Sequence, residues 1–521
     1  MSSLILATRC ANYQEVFVAG NIYFTDADCY ARMTRVRMCS EHPGLIVRHH
    51  EFENYPDGTT PHTTAPLDYL ILALSILLQP LTTHAIDLAG ALISPLFALP
   101  GGWFLWWWSR RMKFRYRWVL LILYAISPIL VQGTELGRPD HQSLSMLLVT
   151  IAICAEWTLC REAGDTPATT LSRWSIAAGI AWGLAIWVSA YEPLILFLFL
   201  ILFMLVSPRH RHLFKARQNS WISFAAILAI AGLIERRLPS LSILDSTAIF
   251  KNWARTIGEL AHVSPANVIW LRWSGYLLLF VPVLVLMGSI KIKSMIKSVS
   301  MSRQETPAFI LFLLVATYGL TIWQARWAYF FVLIFALTLP ALLEPIKSRS
   351  AVWIAFTLSI LPILRDWDER LWPNDAEVAR LVEQRKEGME LHELAISLRS
   401  SGIHPFLAPW WLSPSIAYWS GQPGVAGSSH EGISGIAASS RFFFSDDWRK
   451  AREILENHKI QSVFVYNAER VAQNSSIILN SKPTGHELCF LLERTPTQVQ
   501  PFLIFSAQNG TAKLYRFVNN L

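Results

Sequence analysis

The chain reads as an α-helical polytopic membrane protein that carries an extramembrane α/β domain at its C-terminus. Of its 521 residues, 53% are hydrophobic and only 16% charged. Apolar runs of roughly 20 residues, the length that crosses a bilayer, recur through the first two-thirds. The composition then changes near Arg365, where Asp366, Asp368, Glu369 and Arg370 open a charged stretch. The expected units are therefore 1–364 and 365–521.

Spanning segments are expected near 84–108, 117–134, 142–160, 174–190, 192–207, 219–235, 271–290, 306–323, 328–346 and 351–364. Residues 66–80 are apolar but short, bounded by Pro66 and Pro80, and are expected to lie along the interface. Net charge is +8, yet the basic residues sit in clusters between apolar runs, which marks topology rather than nucleic-acid binding. The clusters are Arg110, Arg111, Lys113, Arg115 and Arg117; Arg209, Arg211, Lys215 and Arg217; Lys291, Lys293, Lys297 and Arg303; then Lys347 and Arg349.

Counting spans puts all four clusters on one side, the cytoplasmic one by the positive-inside rule. Residues 25–65, 135–141, 236–270, 324–327 and everything after about 365 then lie outside. The 22 tryptophans suit interfacial belts, with Trp106, Trp107 and Trp108 just before a basic cluster. Six cysteines show no paired spacing, so neither a disulfide framework nor a zinc site is indicated.

Residues 1–22 are interrupted by Arg9, Asn12, Gln14 and Glu15, a poor spanning segment without a signal peptide's charged start. The expectation is that a first spanning helix is missing. Beyond 365, residues 377–398 have helical spacing, 405–411 and 462–466 read as strands, and 448–457 as a helix between them. That alternation suggests a compact α/β domain on the outer face.

Three acidic clusters surface on the outer side: Asp26–Ala27–Asp28, Asp140–His141–Gln142, and Glu259. Hard divalent metals need several oxygen ligands gathered at one point, and Arg32, Arg35 and Arg37 stand near to meet phosphate. Each cluster also has a plainer explanation. Asp26 is a good helix N-cap, Pro139–Asp140 is ordinary helix-start grammar, and one carboxylate in a loop is unremarkable. Their common side is what raises them above that. His49–His50–Glu51 lacks the i, i+4 spacing of a helical metal motif. The Asn474–Ser475–Ser476 and Asn509–Gly510–Thr511 sequons decide nothing.

Taken in order, five motifs resemble those of oligosaccharyltransferase catalytic subunits, especially archaeal and bacterial single-subunit forms. They are Asp26–Ala27–Asp28–Cys29–Tyr30–Ala31–Arg32 with Tyr55–Pro56–Asp57–Gly58; Gly137–Arg138–Pro139–Asp140–His141–Gln142; Thr256–Ile257–Gly258–Glu259; Gln324–Ala325–Arg326–Trp327; and Pro409–Trp410–Trp411–Leu412–Ser413–Pro414. The resemblance spans nearly the whole chain.

It implies a GT-C membrane domain in the plasma (inner) membrane, with the C-terminal domain outside the cytoplasm. It also implies transfer of a glycan from a polyprenyl-(di)phosphate donor to an acceptor asparagine of a protein or peptide, with Mn²⁺ or Mg²⁺. By the same resemblance Asp26 and Glu259 are catalytic. Asp26, Asp140, Gln142, Glu259 and His141 are metal ligands, Arg326 binds the donor diphosphate, and Trp410, Trp411 and Glu259 meet the acceptor.

Two departures stand out. Gln142 replaces a usual Asp, Glu or His, and Leu412 replaces the aspartate that recognises the sequon hydroxyl, a hydrogen bond leucine cannot accept. They leave room for a GT-C enzyme acting on a lipid, a polysaccharide or another side chain, and for a non-catalytic protein that binds lipid-linked sugar. A transporter is disfavoured, because the charges collect in outer loops and no pair of interrupted helices occupies matching positions.

Overall fold

The computed structural model describes residues 1–162, 168–206, 217–237, 247–287, 308–400 and 402–518. Among these, four helices are long and apolar enough to cross a membrane: Ala85–Arg111, His141–Arg161, Gln218–Glu235 and Ala325–Leu343. Shorter apolar helices, Tyr191–Val206 and Ala308–Trp323 among them, pack beside these. The chain is a polytopic α-helical membrane protein with a small C-terminal α/β domain. Ala328–Leu343 lies at its centre and is buried on nearly every side.

Three expected spans are broken, each for a local reason. The segment 117–134 divides into Arg117–Ile126 and Pro128–Gln132. Pro128 has no N–H to continue the ladder, and extended Ser127 turns its hydroxyl to the Trp273 carbonyl at 2.7 Å. The segment 271–290 begins as Ile269–Ser274 and breaks at Gly275, whose φ is +79°. A Cβ there would stand 2.5 Å from the Ser359 carbonyl oxygen, so only glycine fits the close approach. The third, 351–364, is the bent pair Arg349–Ser359 and Leu361–Leu371, turned by 43° next to Pro362.

Residues 65–78 form one helix with Leu70, Ile76 and Leu77 exposed on one face and Leu67 and Ile71 buried on the other. The N-terminal segment folds as the short helix Ser2–Arg9, the single turn Tyr13–Val16, and a hairpin of Phe17–Val18 with Asn21–Ile22. Eight helical residues rise about 12 Å, well short of a bilayer. Arg9 is buried and donates to the Tyr124 carbonyl at 2.7 Å and to Thr134 Oγ1 at 3.1 Å.

Basic and acidic ends are separated by the length of one helix. Arg161, in the last turn of His141–Glu162, donates to the Met112 carbonyl at 2.7 Å, and Arg115 donates to the Lys347 carbonyl at 2.7 Å. Two basic clusters thus share one end, while Asp140 opens the other, about 33 Å away for a 22-residue helix. Exposed Trp106 and Trp107 mark the basic end, with Arg110 lying 5.7 Å over the Trp106 ring. Arg217 pairs with buried Glu156 at 2.7 Å. Arg209, Arg211, Lys215, Lys291, Lys293, Lys297 and Arg303 lie outside the described residues.

The C-terminal domain is a four-stranded sheet. Its order is Phe406–Leu407, Ser462–Val465, Ala512–Phe517, Leu503–Asn509, with the first pair parallel and the others antiparallel. The expected strand over 405–411 shortens to two residues, because the chain turns at Pro409 to start the helix Ser413–Ser420. The helix expected over 448–457 is Trp448–Asn457, and that over 377–398 is Asp375–Ile396. The final hairpin was not foreseen. Phe24, Tyr30, Leu67 and Leu144 share one core with Phe406, Ile416, Tyr418 and Phe464, so these N-terminal segments and the C-terminal domain pack as one body.

Candidate active site

Backbone turns bring the distant acidic segments together. Gly137, at φ +76°, donates its N–H to the Ala91 carbonyl at 3.0 Å and accepts from the Thr25 N–H at 3.0 Å. A Cβ there would meet Val16 at 2.7 Å, so glycine is what lets segment 23–26 lie against the turn before Asp140. In the same way the Ala325 N–H donates to the Ala261 carbonyl at 2.9 Å, which sets the short 3₁₀ turn Gly258–Leu260 beside Arg326.

Asp26, Asp140, His141, Gln142, Glu259 and Arg326 all line one cavity of about 130 Å³. Its centre is Arg138, which is only 7% exposed. The guanidinium reaches Asp26 Oδ2 at 3.2 Å, Glu135 Oε1 at 3.4 Å and Glu259 Oε1 at 3.9 Å. Glu259 also accepts from Gln142 Nε2 at 3.3 Å and from the Tyr329 hydroxyl at 3.3 Å. Asp26 Oδ1 caps the helix Ala27–Glu41 by accepting from the Cys29 N–H at 3.0 Å. The helix-cap role and the place in the cavity are therefore both filled, one by each oxygen.

Charge in this space is strongly managed. Burial pushes the Asp140 carboxyl up, but His141 Nδ1 at 2.7 Å, with Arg32 and Arg138, holds it below the usual carboxylate range. Asp28 opens onto the cavity yet sits within a concave wall. Desolvation there, followed by the charges of Asp26 and Asp140, raises its carboxyl to about 6. Glu135 is raised to about 7 by burial despite Arg138. Gln142 Oε1 is buried without a hydrogen-bond partner among the described residues, an oxygen open to a donor or a cation.

Arg326 pairs with Glu192 and lies 5.1 Å over the Tyr191 ring.

A second cavity, about 500 Å³, adjoins the first and is lined by Trp411, Leu412, Trp419, Tyr466 and Arg470. Arg470 lies 5.1 Å over the Trp411 ring. Asp26 and Arg138 line both spaces. Trp410 lines neither; its ring stands edge-on to Trp253 at 5.7 Å, behind the wall of the first cavity.

Sequence reasoning passed over Arg138, Glu192, Tyr329, His62 and the segment 428–431. Glu192 carried a usable signal, an acid at the head of a strongly apolar run. His62 and His430 had none, since nothing local links residues so far apart.

No family model matches this chain, and no curated protein matches it in sequence. Solved structures do. The archaeal oligosaccharyltransferase AglB from Archaeoglobus fulgidus, in complex with an inhibitory peptide and a dolichol-phosphate, aligns with a TM-score of 0.67 at 14% identity, over 89% of this chain and 68% of that one. An Archaeoglobus fulgidus oligosaccharyltransferase in complex with Zn and sulfate aligns at 0.61 and 15% identity, over 89% and 67%. ArnT from Cupriavidus metallidurans bound to undecaprenyl phosphate aligns at 0.56 and 12% identity, over 100% and 96%. At these identities the fold is what is shared, and the chain has the GT-C fold.

Proposed function

We propose that the chain is a metal-dependent membrane glycosyltransferase. It moves a glycan from a polyprenyl-(di)phosphate donor to an acceptor, with asparagine of a protein or peptide the favoured one. It would work as a single subunit in the plasma membrane, with its C-terminal domain outside the cytoplasm. The observation that carries this reading is the meeting of two cavities at Asp26 and Arg138. Transfer between two large substrates needs two binding spaces and one shared wall where the bond is exchanged.

On the first side, Arg326 offers a fixed cation to the donor phosphate. The acceptor nucleophile forms a bond to the sugar's anomeric carbon as the carbon–oxygen bond to phosphate breaks. That electron pair leaves with the phosphate, where Arg326 meets the new charge. The proton lost by the nucleophile passes to Asp26 or Glu259. An amide nitrogen is a poor nucleophile, and carboxylates accepting from its N–H groups loosen its resonance. On the second side, Trp411 supplies an apolar wall for the acceptor.

The donor set suits a hard cation, Mn²⁺ or Mg²⁺. Asp26, Asp140 and Glu259 would hold it with the partnerless oxygen of Gln142, and with His141 beside them. Bound there, it would act as a Lewis acid on the departing phosphate. The dolichol-phosphate, undecaprenyl phosphate and Zn held by the structural neighbours support a polyprenyl-linked donor and a divalent ion.

A second reading, transfer to a lipid, is favoured by Leu412, which lines the acceptor cavity and cannot accept a hydrogen bond from a sequon hydroxyl. The deciding assay incubates the purified chain with a polyprenyl-diphosphate-linked sugar and an Asn-x-Thr peptide. Glycopeptide that disappears with chelator and returns with Mn²⁺ is the expected result. Sugar on lipid instead selects the second reading. Donor binding without turnover of any acceptor overturns catalysis.

A further inference from the structure

Two histidines and a carboxylate from opposite ends of the chain meet beside this cavity. His62 comes from the first outer loop, and His430 and Glu431 from the C-terminal domain. His62 Nδ1 stands 3.0 Å from Glu431 Oε1, and His430 Nδ1 stands 3.4 Å from Glu431 Oε2. One ligand atom from each residue lies within 4.8 Å of the other two. Tetrahedral zinc, with bonds of about 2.0–2.1 Å, sets its ligands roughly 3.3 Å apart. The cluster therefore needs only small side-chain rotations to close on an ion.

The backbone on both sides is already held. Asn54 Oδ1 accepts from the Gly435 N–H at 2.9 Å and from the Ser434 hydroxyl at 2.7 Å. The Tyr55 N–H donates to the Gly424 carbonyl, and the Gly424 N–H to the Phe52 carbonyl, both at 3.1 Å. The loop before His62 is thus zipped to the chain on either side of His430, and the two segments are held together before any metal arrives. Pre-positioning of this kind lowers the ordering cost of binding.

We propose that His62, His430 and Glu431 form a second metal site, of the zinc class, that clamps the C-terminal domain to the first outer loop. Imidazole suits Zn²⁺ far better than Mg²⁺, which sets this site apart from the carboxylate-rich set of Asp26, Asp140 and Glu259. Three protein ligands leave a fourth position open, and His62 and His430 both line the cavity, so that position is reachable from it. The inference stands whether or not the chain proves to be a glycosyltransferase.

The test uses the full chain in detergent, stripped with chelator and reloaded with Zn²⁺ alone. The expected result is one equivalent that survives Asp140→Asn and falls at least tenfold in affinity in His62→Asn and in His430→Gln. In the unaltered protein, Zn²⁺ but not Mg²⁺ should protect His62 and His430 from diethyl pyrocarbonate, read by mass spectrometry. That second measurement does not depend on a variant folding. Equal modification with and without Zn²⁺, or full zinc binding by both histidine variants, overturns the proposal.

Discussion

The two cavities that meet at Asp26 and Arg138 are built from different materials. The first is lined by Asp28, Asp140, Glu259, Arg326 and histidines; the second by Trp411, Trp419, Tyr466 and Leu412. The first is small and gathers three histidines and four acids around Arg138 and Arg326; the second is about four times larger and sets Trp411, Trp419 and Tyr466 among Glu15, Glu387 and Arg470. The contrast teaches that one wall can belong to both spaces, because Asp26 faces each of them while its other oxygen holds a helix end. Breaking either side should therefore leave a different mark.

Asp26→Ala removes the shared group and is expected to lower transfer by about 10²–10³-fold while donor binding survives, as a titration of labelled donor will read. If binding and transfer fall together, the wall has a structural role only. Arg326→Gln affects the charged side alone. It also strands buried Glu192, a loss of about 3–5 kcal/mol for a broken buried pair. The double change Arg326→Gln with Glu192→Gln should recover thermal stability without recovering donor affinity.

Trp411→Ala, on the aromatic side, is expected to weaken the acceptor about tenfold with donor affinity unchanged, about 1.4 kcal/mol. A matching loss of donor affinity would merge the two cavities into one site.

A further expected effect, on stability rather than on transfer, lies outside both cavities. Burial raises the Glu53 carboxyl to about 7, with Arg35 opposing and Asp28 and Glu431 adding, and its Oε1 has no hydrogen-bond partner among the described residues. A carboxyl raised in the fold keeps its proton while the unfolded chain has lost it. Stability is therefore lost as pH rises from about 4.5 through 7, by roughly 3 kcal/mol. Glu53→Gln should be more stable than the parent at pH 8 and nearly equal at pH 4, in thermal unfolding. An unchanged pH profile would mean that Glu53 is solvated or paired.

Much of this was legible along the chain. Apolar runs are local and long, so composition and spacing locate Ala85–Arg111, His141–Arg161 and Ala325–Leu343. The breaks at Ser127–Pro128 and Gly275 were harder, since a single residue outweighs a run of twenty neighbours only when a partner such as Trp273 or Ser359 takes up the freed groups. Asp26, Asp140, Glu259 and Arg326 could be picked out because each sits in a recognisable motif on the outer side. Arg138 could not, because an arginine beside a proline looks like any other basic residue until its three carboxylate neighbours are in place.

Hydrophobic periodicity and charge clustering, both carried by neighbouring residues, determined by themselves that this protein crosses a membrane, which end of it is basic, and which acids stand at the other end. Only tertiary structure decided that those acids converge around one arginine, that Trp410 turns away while Trp411 faces a cavity, and that His62 finds Glu431 across 369 positions. The physical reason is range. Burial patterns repeat every few residues, whereas a site is fixed by turns such as Gly137, where one positive φ aims an entire segment at another.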